Sequence, residues 1–248
     1  MKKTISHTYK IILCFRYAII LAAVFSTSIA TARAQDTTLN KYGLWVIGEP
    51  LIFQKTVIHS PSKKMVDINK FVPGIKIDLR YAGKNNFMKQ VLYVPTTTTY
   101  LRLPAATALA KVQNELRQKG YGLKIWDAYR PYSVTEKMWE PVKDDRYAAT
   151  PAFGSGHNRG VAVDLTVIYL RSGKEIDMGT SFDNFTDSAH HDFKNLPANV
   201  LANRLLLRTL MEKYGFKALE SEWWHYALPD AKKYELLDLS FDDLKTLR

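Results

Sequence analysis

Residues 155–166 read SGHNRGVAVDLT, in which one histidine lies among glycines and one aspartate lies inside an apolar run. The run alternates as a half-buried strand does, so Val161, Val163 and Leu165 share one face, which we expect to be core. Asp164 lies on the other face, between small residues that leave room for a ligand. A carboxylate in such a strand costs free energy unless something pairs with it. Either a neighbouring side chain or a bound cation therefore satisfies Asp164.

A second cluster lies near the C-terminus, where residues 221–226 read SEWWHY. The loop before the strand contains three glycines and can bend so that the His157 imidazole lies over Asp164. His157, Asp164 and His225 are then ligands of the types that Zn²⁺ accepts, and a catalytic zinc site needs three protein ligands and one open position. Glu222 suits the role of the base that takes a proton from water. The alternatives are an Asp–His hydrogen bond without a metal and a surface position for Glu222.

Residues 126–133 read WDAYRPYS and place Arg130 between the end of an expected strand and a proline. An arginine held at a stiff strand end is suited to stabilise the oxyanion that forms when a carbonyl is attacked. A structural ion pair is the alternative for this side chain. The remaining histidines of the main domain and its N-terminal arm lie in polar loops, and we expect solvated side chains there instead of metal ligands: His59, His190 and His191.

The first 34 residues have the composition of a cleaved secretory signal peptide. They contain five basic and no acidic residues, an apolar stretch from Tyr17 to about Phe25, and an Ala-x-Ala site at residues 32–34. Cleavage would leave Gln35 as the first residue of an exported protein, periplasmic or secreted, without stable membrane insertion. An uncleaved anchor is the alternative, although the apolar stretch is short for a membrane span.

Removal of this segment changes the chemistry of the remaining chain. The single cysteine, Cys14, is lost with it, so the remaining chain forms no disulfide despite an exported destination. The formal net charge falls from +11 to +6 as the five basic residues leave. The sequence shows no tract of basic residues with interleaved aromatic residues, which argues against a nucleic-acid partner.

Helices and strands are intermixed without a regular βαβ order, which predicts a single α+β domain. We divide the chain into the signal peptide at 1–34, an N-terminal arm at 35–66 and the main domain at 67–248. Start and stop signals predict helices, with Ser133 and Glu136 as a capping box in the second of them: residues 104–119, 133–140, 198–214 and 240–247. Strands are expected at residues 75–82, 123–129 and 160–170, and residues 216–228 are expected to be extended or irregular.

These motifs together resemble those of the D-Ala-D-Ala metallopeptidases. SGHNRGVAVDLT resembles their S-x-H-x-x-G-x-A-x-D motif, and EWWH at 222–225 resembles the form found in D-alanyl-D-alanine dipeptidases, the vancomycin-resistance type among them. The related carboxypeptidases usually have Glu-Pro-Trp-His there. IDLRYAGKNNF at 77–87, DAYRP at 127–131 and DMGTSFD at 177–183 are also similar to dipeptidase sequences. The resemblance spans roughly residues 67–228.

The resemblance implies a zinc enzyme that hydrolyses D-alanyl-D-alanine to two D-alanine molecules, with one Zn²⁺ per chain bound by His157, Asp164 and His225. It also implies that metal-bound water attacks the peptide carbonyl, with Glu222 as general base and then acid. Arg130 would stabilise the tetrahedral intermediate. Asp183 would contact the substrate ammonium, and Ser155 a polar end of the dipeptide. The implied fold is α+β, with a mainly antiparallel sheet and flanking helices, as in the zinc-binding domain of hedgehog signalling proteins.

A dipeptide carries an ammonium and a carboxylate close together, so a small closed pocket that pairs both ends rejects longer peptides. An unpaired buried polar group costs about 1–3 kcal/mol, and Trp223 and Trp224 are candidates for the walls. One alternative is a peptidoglycan D,D- or L,D-carboxypeptidase with an open groove for stem peptides, which Trp223 in place of proline disfavours. The other is a non-catalytic zinc-binding wall module, which Glu222 and Arg130 together disfavour. The patterns specify no oligomeric state.

Overall fold

The structure of the protein is a computed structural model that describes residues 39–145 and 148–247. The expected signal peptide at 1–34 therefore lies outside the described residues. From Asn40 onward the described residues form one α+β unit. Within them the strands and helices follow in this order: β1 (Val46–Ile47), α1 (Pro50–His59), β2 (Met65–Asp67), α2 (Ile68–Phe71), β3 (Lys76–Ile77), β4 (Tyr100–Arg102), α3 (Leu103–Gln118), β5 (Tyr121–Asp127), α4 (Tyr132–Val142), β6 (Ala162–Tyr169), α5 (Ala198–Lys213), β7 (Lys217–Leu219), β8 (Glu222–Ala227), β9 (Leu236–Leu237) and α6 (Phe241–Thr246).

A five-stranded sheet with the order β3-β5-β6-β8-β7 carries the polar residues of the main motifs. β3 pairs with β5 in parallel and the other neighbours are antiparallel, which confirms the mainly antiparallel sheet. The register pairs Asp127 with Asp164 and Asp164 with His225. Directly paired residues on neighbouring strands project to the same face. These three polar residues therefore form a row across β5, β6 and β8.

The two long helices, α3 and α5, pack against the apolar face of this sheet. Leu109 of α3 and Leu207 of α5 lie in one buried cluster with Val163 and Leu165 of β6. The alternation in residues 161–165 predicts this core face. Asp164 lies on the opposite face, so the strand separates the core from the polar row.

Both long helices begin and end where the sequence signals predict. Pro104 lies in the first turn of α3, where its missing N–H has no partner to lose. Gly120 and Gly215 follow α3 and α5 with φ of +80° and +95°. Glycine adopts this left-handed conformation without steric cost, which ends each helix cleanly.

Helix α4 differs from the sequence prediction at both ends. It begins at Tyr132, and the expected capping box does not form, because no side chain caps its N-terminus. The Ser133 N–H instead donates to Asp238 Oδ1 at 2.9 Å, so a carboxylate from the C-terminal segment satisfies the helix start. Pro141 lies within the last turn instead of after it, and left-handed Lys143 follows the last helical residue, Val142.

Two strand predictions differ in extent. Of residues 75–82, only Lys76–Ile77 pair as a strand, β3, because the chain bends into a 3₁₀ turn at Arg80–Ala82. Residues 216–228, expected to be extended or irregular, form β7 and β8, which pair as a hairpin. The hairpin matters for function because β8 carries both Glu222 and His225.

The segment expected to be an N-terminal arm forms a peripheral layer against the C-terminal segment. β1 pairs in parallel with β9, and Phe53 of α1 is buried in a cluster with Leu237 and Leu244. The fully buried Arg102 guanidinium donates to the carbonyl oxygens of Lys63 and Glu235 at 2.6 and 3.2 Å. None of the helices in residues 39–145 and 148–247 has the length and apolar character of a membrane span.

Candidate metal centre and active site

Three side chains from separate segments converge at the polar row of the sheet. His225 Nδ1 of β8 lies 2.8 Å from Asp164 Oδ1 of β6 and 3.2 Å from Nε2 of His157, which is in the loop before β6. His157 Nε2 lies 3.4 Å from Asp164 Oδ2. One ligand atom of each residue lies within 4.8 Å of the other two. Two imidazole nitrogens and one carboxylate oxygen in this arrangement fit the donor set of a catalytic zinc site.

The second ring nitrogen of His157 determines which atom faces the other two groups. Nδ1 lies 2.7 Å from the Ala128 carbonyl oxygen, and because a carbonyl can only accept, Nδ1 carries the proton. Nε2 therefore presents its lone pair to the candidate metal position, as outer hydrogen bonds arrange for metal-binding histidines. The loop also comes very close to β6, since a Cβ atom on Gly156 would lie 2.8 Å from the Ala162 Cβ. Glycine at 156 thus allows the approach that places His157.

The Asp164 carboxyl is buried and ionised. Burial by itself would raise its pKa, but His157 and His225 hold that pKa well below its usual range. The buried charge of Asp164 is therefore compensated in one way and can be compensated in a second. Both histidines pair with Asp164, and the three groups together form a site that a cation fits.

Glu222 lies beside this group of three residues. Its Oε2 atom is 4.0 Å from His225 Nδ1, and both side chains line one cavity. On a regular strand, residues three apart face opposite sides, but the pairing of β7 with β8 shifts register between Ala218 and Leu219. Such an irregularity re-aims side chains. Burial raises the pKa of Glu222 to about 7, so the structure does not support the alternative of a solvated surface carboxylate.

Arg130 is buried and also lines the cavity. Asp127 Oδ2 accepts hydrogen bonds from its Nε at 2.8 Å and lies 2.6 Å from its Nη2. The guanidinium lies 4.9 Å from the centre of the Tyr81 ring and 3.9 Å from Asp164 Oδ2. Burial alone would lower its pKa, but Asp127, Tyr81 and Asp164 raise that pKa above the ordinary value. The structural ion pair that the sequence left open thus exists, and it holds a permanent cation at the cavity wall.

Asp183 lies on another wall of the cavity, in a left-handed conformation with φ of +57°. Its Oδ1 accepts from the Tyr81 hydroxyl at 2.9 Å, and its Oδ2 accepts from the Phe87 backbone N–H at 3.1 Å. Burial raises its pKa to about 7. A cationic group of a ligand placed beside this enclosed carboxylate would stabilise its ionised form.

Ser155 lines the cavity and closes a tight turn. Its Oγ accepts from the Asn158 N–H at 3.2 Å, and its own N–H donates to Asn158 Oδ1 at 3.0 Å. A hydroxyl oxygen that accepts one hydrogen bond still carries a proton to donate. Ser155 is therefore both a structural residue and a donor available to a ligand in the cavity.

The cavity has a volume of about 260 Å³, which suits a small ligand. Trp224 lines it together with Phe87 and Phe185. Trp223, expected from the sequence to be a wall, lies in the core instead, where its Nε1 donates to Thr180 Oγ1 at 2.7 Å. A larger cavity of about 370 Å³ lies between residues 64–71 and helix α6, away from these groups.

Three buried residues of the sequence motifs contact the groups of this site, although their sequence patterns do not single them out. Asp127 and Asn158 are fully buried, and Tyr81 is nearly so. Asp127 comes at the end of an expected strand and Asn158 lies in a loop, so neither shows the alternation that marks a core or site residue. His59, His190 and His191 lie outside the group of candidate ligand residues in the described part of the chain. The expectation of solvated loop positions is wrong for two of them, because His59 ends helix α1 and the Nε2 atom of His191 is buried.

A family comparison agrees with this geometry. The model of the peptidase family of D-Ala-D-Ala dipeptidases matches residues 61–244. The chain belongs to this family. It is therefore an enzyme of the peptidase class, and peptidases of this family are metallopeptidases. The match extends past residue 228 and begins within the N-terminal arm, so the family covers more of the chain than the sequence motifs indicated.

Individual relatives match over nearly their whole length. A D-alanyl-D-alanine dipeptidase of Escherichia coli (strain K12) is 36% identical over 178 residues, covering 72% of this chain and 91% of the relative. The D-alanyl-D-alanine dipeptidases of Streptomyces coelicolor and Enterococcus faecium are 32% and 31% identical, each over 66% of this chain and 90% of the relative. The solved structure of the LdcB LD-carboxypeptidase is 22% identical over 54% of this chain and 63% of that chain, with a TM-score of 0.35.

Proposed function

We propose that this protein is a zinc-dependent D-Ala-D-Ala dipeptidase that hydrolyses D-alanyl-D-alanine to two D-alanine molecules. The observation that carries the proposal is the convergence of His157, Asp164 and His225 with Glu222 and Arg130 in one small cavity, in a chain of the D-Ala-D-Ala dipeptidase family. His157, Asp164 and His225 would hold one zinc ion. Zinc, when bound, supplies a Lewis acid that polarises the peptide carbonyl and makes water more acidic.

Glu222 accepts the proton of the attacking water and then delivers it to the leaving amine. Its position supports this role, because the carboxylate lies 4.0 Å from the ligand atom of His225 without belonging to the group of three ligands. A base must be within hydrogen-bond reach of the proton it takes, and geometry is the first requirement.

Arg130 stabilises the negative charge that develops on the carbonyl oxygen. A buried cation at a cavity wall is a stronger electrostatic stabiliser than one in water, because the surroundings screen it less. Its orientation is fixed before a substrate arrives, which spares the cost of reorganisation during the reaction.

A carboxylate and a hydroxyl group recognise the ends of the dipeptide. Asp183 pairs with the substrate ammonium, which replaces a costly buried anion with an ion pair. Ser155 donates its remaining hydroxyl proton to a polar end of the dipeptide. A cavity of about 260 Å³ with these groups leaves little room for additional residues of a longer peptide.

The experiment that tests this function compares three substrates on one zinc-loaded preparation: D-Ala-D-Ala, N-acetyl-D-Ala-D-Ala and a peptidoglycan pentapeptide ending in D-Ala-D-Ala. We expect rapid cleavage of the free dipeptide and loss of that activity after chelation and dialysis. A preference for the pentapeptide would establish the carboxypeptidase alternative. Zinc binding without hydrolysis of any of the three, or of the stem tetrapeptide that an L,D-carboxypeptidase would cleave, would establish the non-catalytic alternative.

We also propose that the protein is exported and that cleavage leaves Gln35 as its first residue. The basic start, apolar stretch and Ala-x-Ala site of residues 1–34 support this proposal. Mass spectrometry of the protein from the exported fraction of producing cells tests it. A chain that retains Met1 in the membrane fraction would contradict it.

A further inference from the structure

We propose that Asp127 is a positioning residue of the reaction, whose carboxylate holds Arg130 toward the substrate and away from Asp164. The inference rests on the proposed function and adds a residue to it. Asp127 is fully buried, and its Oδ2 accepts from Arg130 Nε at 2.8 Å and lies 2.6 Å from Nη2. Both contacts go to the same carboxylate oxygen, so they hold the guanidinium at a fixed distance from Asp127 and keep two of its nitrogens turned toward that oxygen.

The strand geometry places Asp127 for this task. The register of β5 against β6 shifts between Ile125 and Asp127, so β5 bulges at its end and Asp127 comes directly opposite Asp164. Bulges beside active sites commonly re-aim a side chain. Arg130 follows three residues later, close enough to fold back onto the Asp127 carboxylate.

A second residue prevents the Asp127 carboxylate from turning. The Tyr93 hydroxyl donates to Asp127 Oδ1 at 3.0 Å. Burial and the Asp127 charge raise the Tyr93 pKa well above its ordinary value, so this hydroxyl remains a donor. Both oxygens of Asp127 are thus engaged, Oδ1 by Tyr93 and Oδ2 by Arg130, and Oδ2 also lies 3.6 Å from His157 Nδ1.

The position of Asp164 shows why Arg130 needs such a partner. Arg130 Nη2 lies only 3.9 Å from Asp164 Oδ2. If the Asp127 charge were absent, the attraction of Asp164 would draw the guanidinium toward the candidate metal ligands. Arg130 would then neutralise a ligand and leave the place where the oxyanion forms. Asp127 competes for the guanidinium and so keeps the two functions apart.

Asp127→Asn tests this role with almost no change in shape. The amide retains an oxygen for Arg130, and its NH₂ group can donate to the Tyr93 hydroxyl, so the charge is lost and the hydrogen bond with Tyr93 reverses its direction. We expect kcat on D-Ala-D-Ala to fall about 10²-fold, the loss typical of a group misplaced by about 1 Å. KM should change little. Affinity for a phosphinate analogue of the tetrahedral intermediate should fall in parallel with kcat/KM, because positioning for the transition state affects both.

A double-mutant cycle shows whether Asp127 affects kcat through Arg130. Zinc-loaded wild type, Asp127→Asn, Arg130→Ala and the double variant are compared. Asp127→Asn should have almost no further effect on kcat when Arg130 is already absent. Equal losses in both backgrounds, or no loss in Asp127→Asn alone, would overturn the proposal. An inactive wild type would instead contradict the proposed function.

Two further variants separate positioning from stability. Tyr93→Phe removes one hydrogen bond to Asp127 and should lower kcat in the same direction but by a smaller factor, which also provides the test if Asp127→Asn does not fold. Asp238→Asn is the matched control, because Asp238 satisfies the start of α4 just after Arg130 without contacting the guanidinium. It should lower the melting temperature and leave kcat and phosphinate affinity unchanged. A kcat loss in Asp238→Asn equal to that in Asp127→Asn would reduce Asp127 to a structural residue.

Discussion

Three polar side chains of the cavity are oriented by a second residue before a substrate binds. Asp127 orients Arg130, the Ala128 carbonyl orients His157, and Tyr81 orients Asp183. Because these groups are already oriented, no free energy is spent on turning them during the reaction. Such preorganisation is the main source of electrostatic catalysis. The outer residues are therefore as much a part of the site as the groups they hold.

Asp183→Ala should discriminate between substrates that differ only in the ammonium group. We expect kcat/KM for free D-Ala-D-Ala to fall strongly, because the ammonium loses its buried partner. The loss for N-acetyl-D-Ala-D-Ala should be much smaller. Steady-state kinetics with both substrates measures the difference, and Asp145→Ala, which removes another carboxylate lining the cavity, is the control. Equal losses on the two substrates would remove Asp183 from ammonium binding.

His191 should make the stability of the protein depend on pH. Burial lowers its pKa to about 4, from the ordinary value of 6.5, and its Nε2 atom is buried without a hydrogen-bond partner among the described residues. Because the unfolded chain takes up a proton that the folded chain refuses, stability present above pH 6.5 is lost as the pH falls toward 4. The charged and aromatic groups that act on this ring are Arg204, Arg208, Glu212, Glu220 and Tyr226.

The His191→Gln variant should therefore lose less stability than wild type between pH 7 and pH 5. Urea unfolding at both pH values measures the change, and the difference between the variants cancels the contribution of the shared metal ligands. His59→Gln, which removes an exposed histidine at the end of α1, controls for the loss of one histidine. An identical pH dependence in His191→Gln and wild type would show that His191 does not contribute.

At the scale of elements, the site depends on two loops being held at a fixed separation. The loop after β5 carries Arg130, and the loop before β6 carries His157. The fully buried Asn158 joins them, since its Nδ2 donates to the Arg130 carbonyl at 2.9 Å and its Oδ1 accepts from the Ser155 N–H at 3.0 Å. The Arg130 N–H also donates to the His157 carbonyl at 3.3 Å, so this backbone bond and the Asn158 amide together hold the proposed oxyanion stabiliser beside a candidate metal ligand.

Asn158→Ala should lower both stability and turnover. Buried backbone groups left unsatisfied cost about 1–3 kcal/mol each, and of the contacts between the two loops only those of the backbone would remain. Denaturant unfolding and D-Ala-D-Ala hydrolysis measure the two effects. Asn203→Ala removes a similar side-chain bond to a carbonyl at the surface and should change stability by less than about 0.5 kcal/mol. A similar small change in Asn158→Ala would contradict the linking role.

The sequence predicted the elements whose signals are local. Pro104 and Gly120 delimit α3, Gly215 follows α5, and the alternation at residues 161–165 identifies the core face of β6. The start of α4 was mispredicted, because Asp238, more than a hundred residues away, satisfies the Ser133 N–H.

In the site, too, the residues with a local sequence signal are predicted and those that depend on distant contacts are not. The motifs indicated the three candidate ligand residues and Glu222, since histidine, aspartate and glutamate are residue types that bind metals or transfer protons. It did not indicate Asp127, whose role depends on the register of β5 against β6 and on a contact with Tyr93. It also misplaced Trp223, because the register shift between β7 and β8 decides which of the two tryptophans faces the cavity. Contacts between distant strands carry no local signal in a single sequence.

At the scale of the whole molecule, a metal bound at the proposed site would tie together segments that are far apart in the chain. The three ligand residues come from the loop before β6, from β6 itself and from β8. An ion that binds only the folded state stabilises it by mass action. Zinc should therefore contribute to stability as well as to catalysis.

His225→Ala should abolish this linkage. Two remaining ligands hold zinc weakly, so the variant should contain little metal after dialysis. Addition of a chelator should lower the melting temperature of wild type and leave that of His225→Ala unchanged. Elemental analysis and thermal unfolding on the same samples measure both effects. Full zinc occupancy in His225→Ala would show that the ligand set is different.

The central claim is that one cavity combines a metal centre with a separate proton carrier, and Glu222→Ala tests it most directly. Because His157, Asp164 and His225 remain, the variant should bind one zinc per chain and stay folded. Its turnover of D-Ala-D-Ala should fall by about 10²–10⁴-fold or more, since one positioned group serves both proton transfers. The measurement is kcat at equal zinc content, with zinc and thermal unfolding determined on the same preparation. A folded, zinc-replete Glu222→Ala protein with kcat close to wild type would contradict the account.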